Sequence, residues 1–225
     1  VIPGFIAFAL IAFAVSEPER PKDLRQVRFP LHRAEIGRLP VAFWFGVGVS
    51  AGFTHARVSE AFLVLKSQAV GLPIALVPAV MVVMNVVYAL AAYPAGVISD
   101  GPGGRDRVLV IGLGLLVAAD VVLAMASNVA LTGLGVVLWG LHMGLTQGLL
   151  STLVADAAPA ELRGTAFGIF NLVSGVALLV ASVVAGALWD WFGPQATFLT
   201  GAAFTAVALV GFLAIRRRFL PEADA

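Results

Sequence analysis

The chain has 225 residues, of which 60% are hydrophobic and 12% charged, and a mean hydropathy of +0.98; that balance describes a polytopic membrane protein and excludes a soluble globular core. Fourteen Lys and Arg face thirteen Asp and Glu, so net charge gives no reason to expect a nucleic-acid partner. The absence of cysteine excludes disulfides, thiolate metal sites and cysteine nucleophiles, and three histidines with no i,i+4 pair give no metal-ligand spacing, so no metal and no cofactor is expected.

Residues 1–15 are apolar but shorter than the roughly 20 residues a span needs, and read as the end of a truncated transmembrane helix. Nothing there has the basic region and small-residue cleavage site of a secretory signal. Residues 16–38 are polar, with three prolines, six basic and four acidic side chains, and are expected to form a cytoplasmic linker. Residues 39–65 form the next predicted span, interrupted in its second half by His55, Arg57, Ser59 and Glu60, with residues 67–73 as its outer loop. Further spans are predicted at 72–98, 108–125, 129–154, 165–188 and 196–215, and 216–225 is a tail opening with three arginines.

Twelve of the fourteen basic residues fall in the linker, in the corners after Ile98 and Val154 and in the tail, all on one side of the membrane; only Arg57 and Lys66 lie elsewhere. That asymmetry puts linker and tail in the cytoplasm and Val1 outside. The expectation is an all-α polytopic membrane protein: six complete spans at 39–215 forming one bundle, plus one partial helix.

The stretch YPAGVISDGPGGRDR, residues 93–107, turns one span into the next. Gly96 and Asp100, four apart, share a face of the helix end, where a small residue admits a neighbouring backbone and the acid can accept from N–H groups or a cation. This G-x-x-x-D corner with Arg105 and Arg107 resembles the loop motif of major facilitator superfamily transporters, although Gly101 follows the aspartate where that family usually has a basic residue. ADAAPAELRGTAFGIFN (155–171) resembles the family's corner before helix 11, and WGLHMGLTQG (139–148) its polar, glycine-rich helix 10. The resemblance covers essentially the whole chain. It implies the end of helix 6, the central loop and helices 7–12 of a protein built from two six-helix bundles, with a substrate site between them at mid-membrane. An amino-terminal bundle or a second copy is then the expected partner, alongside the lipid bilayer and a small-molecule substrate.

Each intramembrane charge costs roughly 2.5–3.5 kcal/mol on insertion scales and needs a partner or a purpose. Arg57 and Glu60, three apart, either line a substrate or proton pathway or form a structural ion pair near the outer surface. His142 could gate or relay protons, or donate as a neutral ring to a carbonyl on the next helix. Asp120 reads as a polar contact near the outer interface, with proton relay as its rival. Gly140, Gly144, Gln147, Gly148 and Ser151 make a stripe of small and polar residues suited to close helix packing. Asn85, Tyr88 and Asn171, with Gln147, are the polar groups expected nearest a cavity. At the cytoplasmic surface Gly96, Asp100, Arg105, Arg107, Asp156, Glu161 and Arg163 are expected to form a gate of opposite charges on two neighbouring corners, against the plainer reading of loop charge that sets orientation.

The expected function is secondary active transport of a small solute by alternating access in a bacterial-type inner membrane, with proton coupling suggested by His142, Glu60 and Asp120. The alternative is a half-transporter-like membrane protein that transports nothing and acts as scaffold, regulator or fragment. A retinal-type photoreceptor lacks its lysine, since none follows Lys66, and an intramembrane enzyme is not expected with no H-E-x-x-H and no cysteine.

Overall fold

The computed structural model describes residues 5, 8–9, 13, 36–40, 43–44, 46–48 and 59–219, the side chains of 150, 153–156, 160 and 215–219 excepted. The linker before residue 36, Arg57 and the end of the tail lie outside the described residues.

Among the described residues the chain is helices joined by short turns, with no strand. α1 spans Ala61–Ala69, α2 Val77–Ser99, α3 Gly104–Met125, α4 Val129–Ala157 and α5 Arg163–Phe219, with short 3₁₀ turns at Ile74–Leu76 and Ala160–Leu162. Their ends follow from local chemistry. Gly71 takes φ +91° just past α1, and Pro73 and Pro159 lead into the two 3₁₀ turns. The Asn128 side chain accepts from the Leu131 N–H at 2.9 Å and caps α4. α2, α3 and α4 have 23, 22 and 29 residues, so each exceeds the roughly 30 Å of a bilayer core at about 1.5 Å per residue.

α5 is two spans. Gly193, at φ +85° and ψ 174°, breaks it, and Pro194 opens the returning limb. The limbs are pinned where Thr197 Oγ1 donates to the Ala185 carbonyl at 3.2 Å. With these limbs separated, five of the six predicted complete spans are present.

The sixth, at 39–65, is not one unbroken helix. Ser59 and Glu60 are non-helical, Glu60 stands at the N-cap of α1, and α1 runs on to Ala69. The predicted outer loop at 67–73 therefore begins later, and Lys66, one of the two basic residues away from the cytoplasmic segments, is only 6% exposed within α1. The apolar content of the run read as one span, but consecutive polar residues at 59–60 favour a break.

Three apolar clusters hold the bundle. One joins α1, α2, α3, α4 and the turn of α5 through Leu63, Met84, Leu123, Trp139 and Phe198, with Trp189 set between Phe62 and Phe198 at ring separations of 5.6 and 6.2 Å. A second packs Leu39, Phe43 and Val47 on Leu162, Ala166 and Ile169 at the start of α5. The third packs Leu109 and Leu113 of α3 against Leu209 and Phe212 of the returning limb. α4 lies centrally, against both α2 and α3.

Candidate functional site

The corners after α2 and α4 lie at the same end of the bundle. In the first, Asp100 caps α2, its N–H donating to the Gly96 carbonyl at 3.1 Å, and the same carbonyl accepts the Ser99 hydroxyl at 2.8 Å. The GPGG segment closes tightly: Gly104 N–H donates to the Gly101 carbonyl at 2.9 Å, Gly103 sits at φ +62°, and a Cβ on Gly104 would run into the Ile98 carbonyl. Asp106 lies in the first turn of α3, where the helix dipole favours an acid. Asp100, Arg105 and Arg107 are exposed there, as are Glu161 and Arg163 across the bundle end. Between these last two corner positions, Leu162 anchors the second corner in the cluster with Leu39 and Phe43. Asp156 is helical, and its side chain lies outside the described residues.

Gly140 and Gly144 seat α4 on α2. A Cβ on Gly140 would stand 2.6 Å from the Met84 carbonyl oxygen, and one on Gly144 would stand 2.6 Å from Ala91 Cβ and 2.9 Å from the Tyr88 carbonyl oxygen. On the other side of α4, Gly112 of α3 approaches Thr146 equally closely, and this lets His142 Nδ1–H donate to the Gly112 carbonyl at 2.8 Å. His142 is buried. Of its two readings, the donor to a neighbouring helix is thus the geometry present at Nδ1. Gly148, by contrast, meets nothing within 4 Å, and Ser151 is exposed, so the small stripe divides into a packed half and an open half.

The other pathway candidates are scattered over uncovered surfaces. Asn85 is exposed and its amide donates to the Met81 carbonyl of its own helix at 2.8 Å. Asn171 is exposed on α5, Gln147 is half-buried beside Gly148, and Tyr88 packs on the main apolar cluster. Glu60 is half-buried at the start of α1, nine residues or about 14 Å from that helix's far end.

Asp120, read from sequence as a polar contact near the outer interface or a proton relay, and Trp139, which the sequence did not single out, stand out together. Asp120 is 0% exposed, and neither carboxyl oxygen has a hydrogen-bond partner; the indole Nε1 of Trp139, on α4, is equally buried and equally unpartnered. The signal in sequence was the lone acid inside an apolar span, but nothing there said whether it faced headgroups or the bundle interior. Residues 48–52, GVSAG, also carry the G-x-S-x-G spacing of a hydrolase elbow, in an apolar run of which only Gly48 belongs to the described residues.

A family model described as Major Facilitator Superfamily matches residues 61–225, from α1 through the tail. The chain belongs to the major facilitator superfamily. An uncharacterised MFS-type transporter of Methanocaldococcus jannaschii is 30% identical over 217 residues, 91% of this chain and 51% of that protein. An uncharacterised protein of Mycobacterium tuberculosis is 28% identical over 222 residues, 96% of this chain and 53% of its own length. The inner membrane transport protein YajR of Escherichia coli is 31% identical over 104 residues, 46% of this chain and 23% of YajR. The chain spans about half the length of the first two relatives. Family membership and the apolar helices make it an integral, multi-pass membrane protein.

Proposed function

We propose that this chain is the carboxy-terminal half of a secondary transporter that moves a small solute by alternating access, with protons as the coupling ion. The observation that carries this reading is the distribution of uncovered surface. α2 and α5 are the least buried of the candidate spans, whereas α3 and α4 bury half of their apolar windows within the bundle. On α2 the exposed set includes Val82, Val86 and Val97, and on the first limb of α5 Leu172, Val176 and Val183. Lipid covers part of such surface, but Asn85 and Asn171 stand among these residues, and a polar amide facing hydrocarbon is costly. An amino-terminal bundle, or a second copy, docked on those two helices would remove both amides from lipid and create the cleft.

Glu60, half-buried where α1 begins, is the acid we place on the substrate or proton pathway, since an ionisable group within an apolar stretch needs a purpose. Arg57, Asn85, Tyr88, His142, Gln147 and Asn171 complete the proposed pathway, and Gly96, Asp100, Arg105, Arg107, Asp156, Glu161 and Arg163 the gate. The basic end is cytoplasmic, and the membrane is a bacterial inner membrane.

The test is the native mass of the purified particle in detergent. A second bundle found with the 23.3 kDa segment, on the same polypeptide, as a partner or as a second copy, supports the reading. A lone monomer at every concentration overturns it in favour of a non-transporting scaffold.

A further inference from the structure

We propose that Asp120 is a proton-binding site inside the bundle, at the seam of α3 with α4 and α5, and that the indole N–H of Trp139 is the donor that holds its carboxylate once the proton leaves. The role rests on the transporter reading above; the site itself does not.

Asp120 lies sixteen residues along α3, about 24 Å from its basic end, and is fully covered. Its immediate neighbours on the helix, Leu116, Ala119, Leu123 and Ala124, all belong to the main apolar cluster. A carboxylate in such surroundings with no donor is an isolated charge, the most expensive state a buried group can have, whereas the neutral acid avoids most of that cost. The polar side chains at the same end of α5 offer it nothing: Thr197 donates to the Ala185 and Gly193 carbonyls, and Thr205 to that of Gly201.

Among the described residues, no ionisable group on the elements packed around α3 is hydrogen-bonded to Asp120. α2 carries Tyr88 and the exposed Tyr93, and α5 carries exposed Arg163 and Asp190. On α4, His142 sits against Gly112, two turns nearer the basic end than Asp120. On α1, Lys66 is buried, but neither Asp120 oxygen has a hydrogen bond to it. Arg216–Arg218 are in the stretch whose side chains lie outside the described residues, at the basic end of α5.

Among the described residues the buried side-chain atoms without a partner are the Asp120 oxygens, Trp139 Nε1 and the Ser174 hydroxyl. Trp139 is level with Asp120. Gly112 of α3 meets His142 to Thr146 of α4, and Leu123 fills the space beside Gly135, so α3 and α4 run antiparallel with Asp120 opposite the turn that carries Trp139. An unused acceptor pair and an unused donor thus lie at the same level on neighbouring helices of one seam. A sealed carboxyl with no donor fits the proton-loaded form of this site. Release requires a small shift of α3 on α4 that gives the carboxylate the indole N–H.

Infrared difference spectroscopy on the full-length protein in lipid vesicles, without substrate, tests this. A protonated buried carboxyl has a carbonyl stretch clear of the amide band. We expect that band at neutral pH in the wild type, its loss in Asp120→Asn, its displacement in Asp120→Glu, and its disappearance as the pH is raised. Trp139→Phe, which removes the donor to the carboxylate, should move that disappearance to higher pH. No band difference between wild type and either Asp120 variant overturns the site, and a band that never titrates overturns proton exchange. An unshifted titration in Trp139→Phe overturns the indole's part. Because the measurement needs neither substrate nor flux, these failures leave the transporter reading standing, while a missing second bundle would sink that reading and leave the proton site.

Discussion

At Gly144 the nearest groups to an added Cβ are the Ala91 Cβ at 2.6 Å and the Tyr88 carbonyl oxygen at 2.9 Å, neither of which can rotate away. Gly144→Ala must therefore push α4 off α2. We expect a loss of about 1–3 kcal/mol, the usual cost of overpacking, read as a lower thermal unfolding midpoint in detergent. Gly148, one turn on, is the control. Nothing lies within 4 Å of its missing Cβ, so Gly148→Ala should leave the midpoint unchanged or raise it, because alanine is the better helix former. Equal losses at both positions would mean that the seam is not where α4 is held. The stripe of small residues was visible in sequence. Which of its members were close-packed was not, because spacing gives a face and says nothing of what lies opposite it.

The α5 element is two helical limbs that meet at Gly193. Gly193, at φ +85° and ψ 174°, occupies a region that side-chain-bearing residues almost never adopt, with nothing within 4 Å to be struck. Gly193→Ala should therefore cost about 1–3 kcal/mol through backbone strain alone, while Gly186→Ala, on the helical limb with equally open space, should not. The measurement is the same unfolding midpoint, and a neutral Gly193→Ala would show that the limbs can be joined in another way. The turn here was legible, since a short stretch containing Gly and Pro separates two apolar runs. The break at Ser59–Glu60 was not. Apolar composition predicts how much chain a bilayer covers, not whether its helix is continuous.

The whole molecule has its two charged corners at one end and the Ser127 and Gln195 turns at the other, all exposed. These 225 residues contain no cysteine, so a cysteine introduced among them is their single thiol. In intact cells a membrane-impermeant maleimide should label Ser127→Cys and Gln195→Cys, and should reach Arg105→Cys and Glu161→Cys only after permeabilisation. The reverse pattern would invert the bundle and remove the cytoplasmic gate. Corner positions and their sidedness follow from charge, because moving Lys or Arg across a bilayer is costly wherever the helices sit relative to one another.

By itself, the sequence determined that this is a helical membrane protein of the major facilitator kind, the approximate place of most of its spans, and which end carries the charge. Those properties depend on transfer of each segment from water to hydrocarbon, a sum over local composition that needs no knowledge of neighbours. Only the tertiary structure decided that His142 donates to Gly112, that Gly140 and Gly144 rather than Gly148 touch α2, and that Asp120 is sealed in the bundle without a partner. Inside a membrane, lipid and protein are equally apolar, so hydropathy cannot tell a side chain facing one from a side chain facing the other. Burial there is set by which helix lies alongside, and that is a property of the assembled bundle alone.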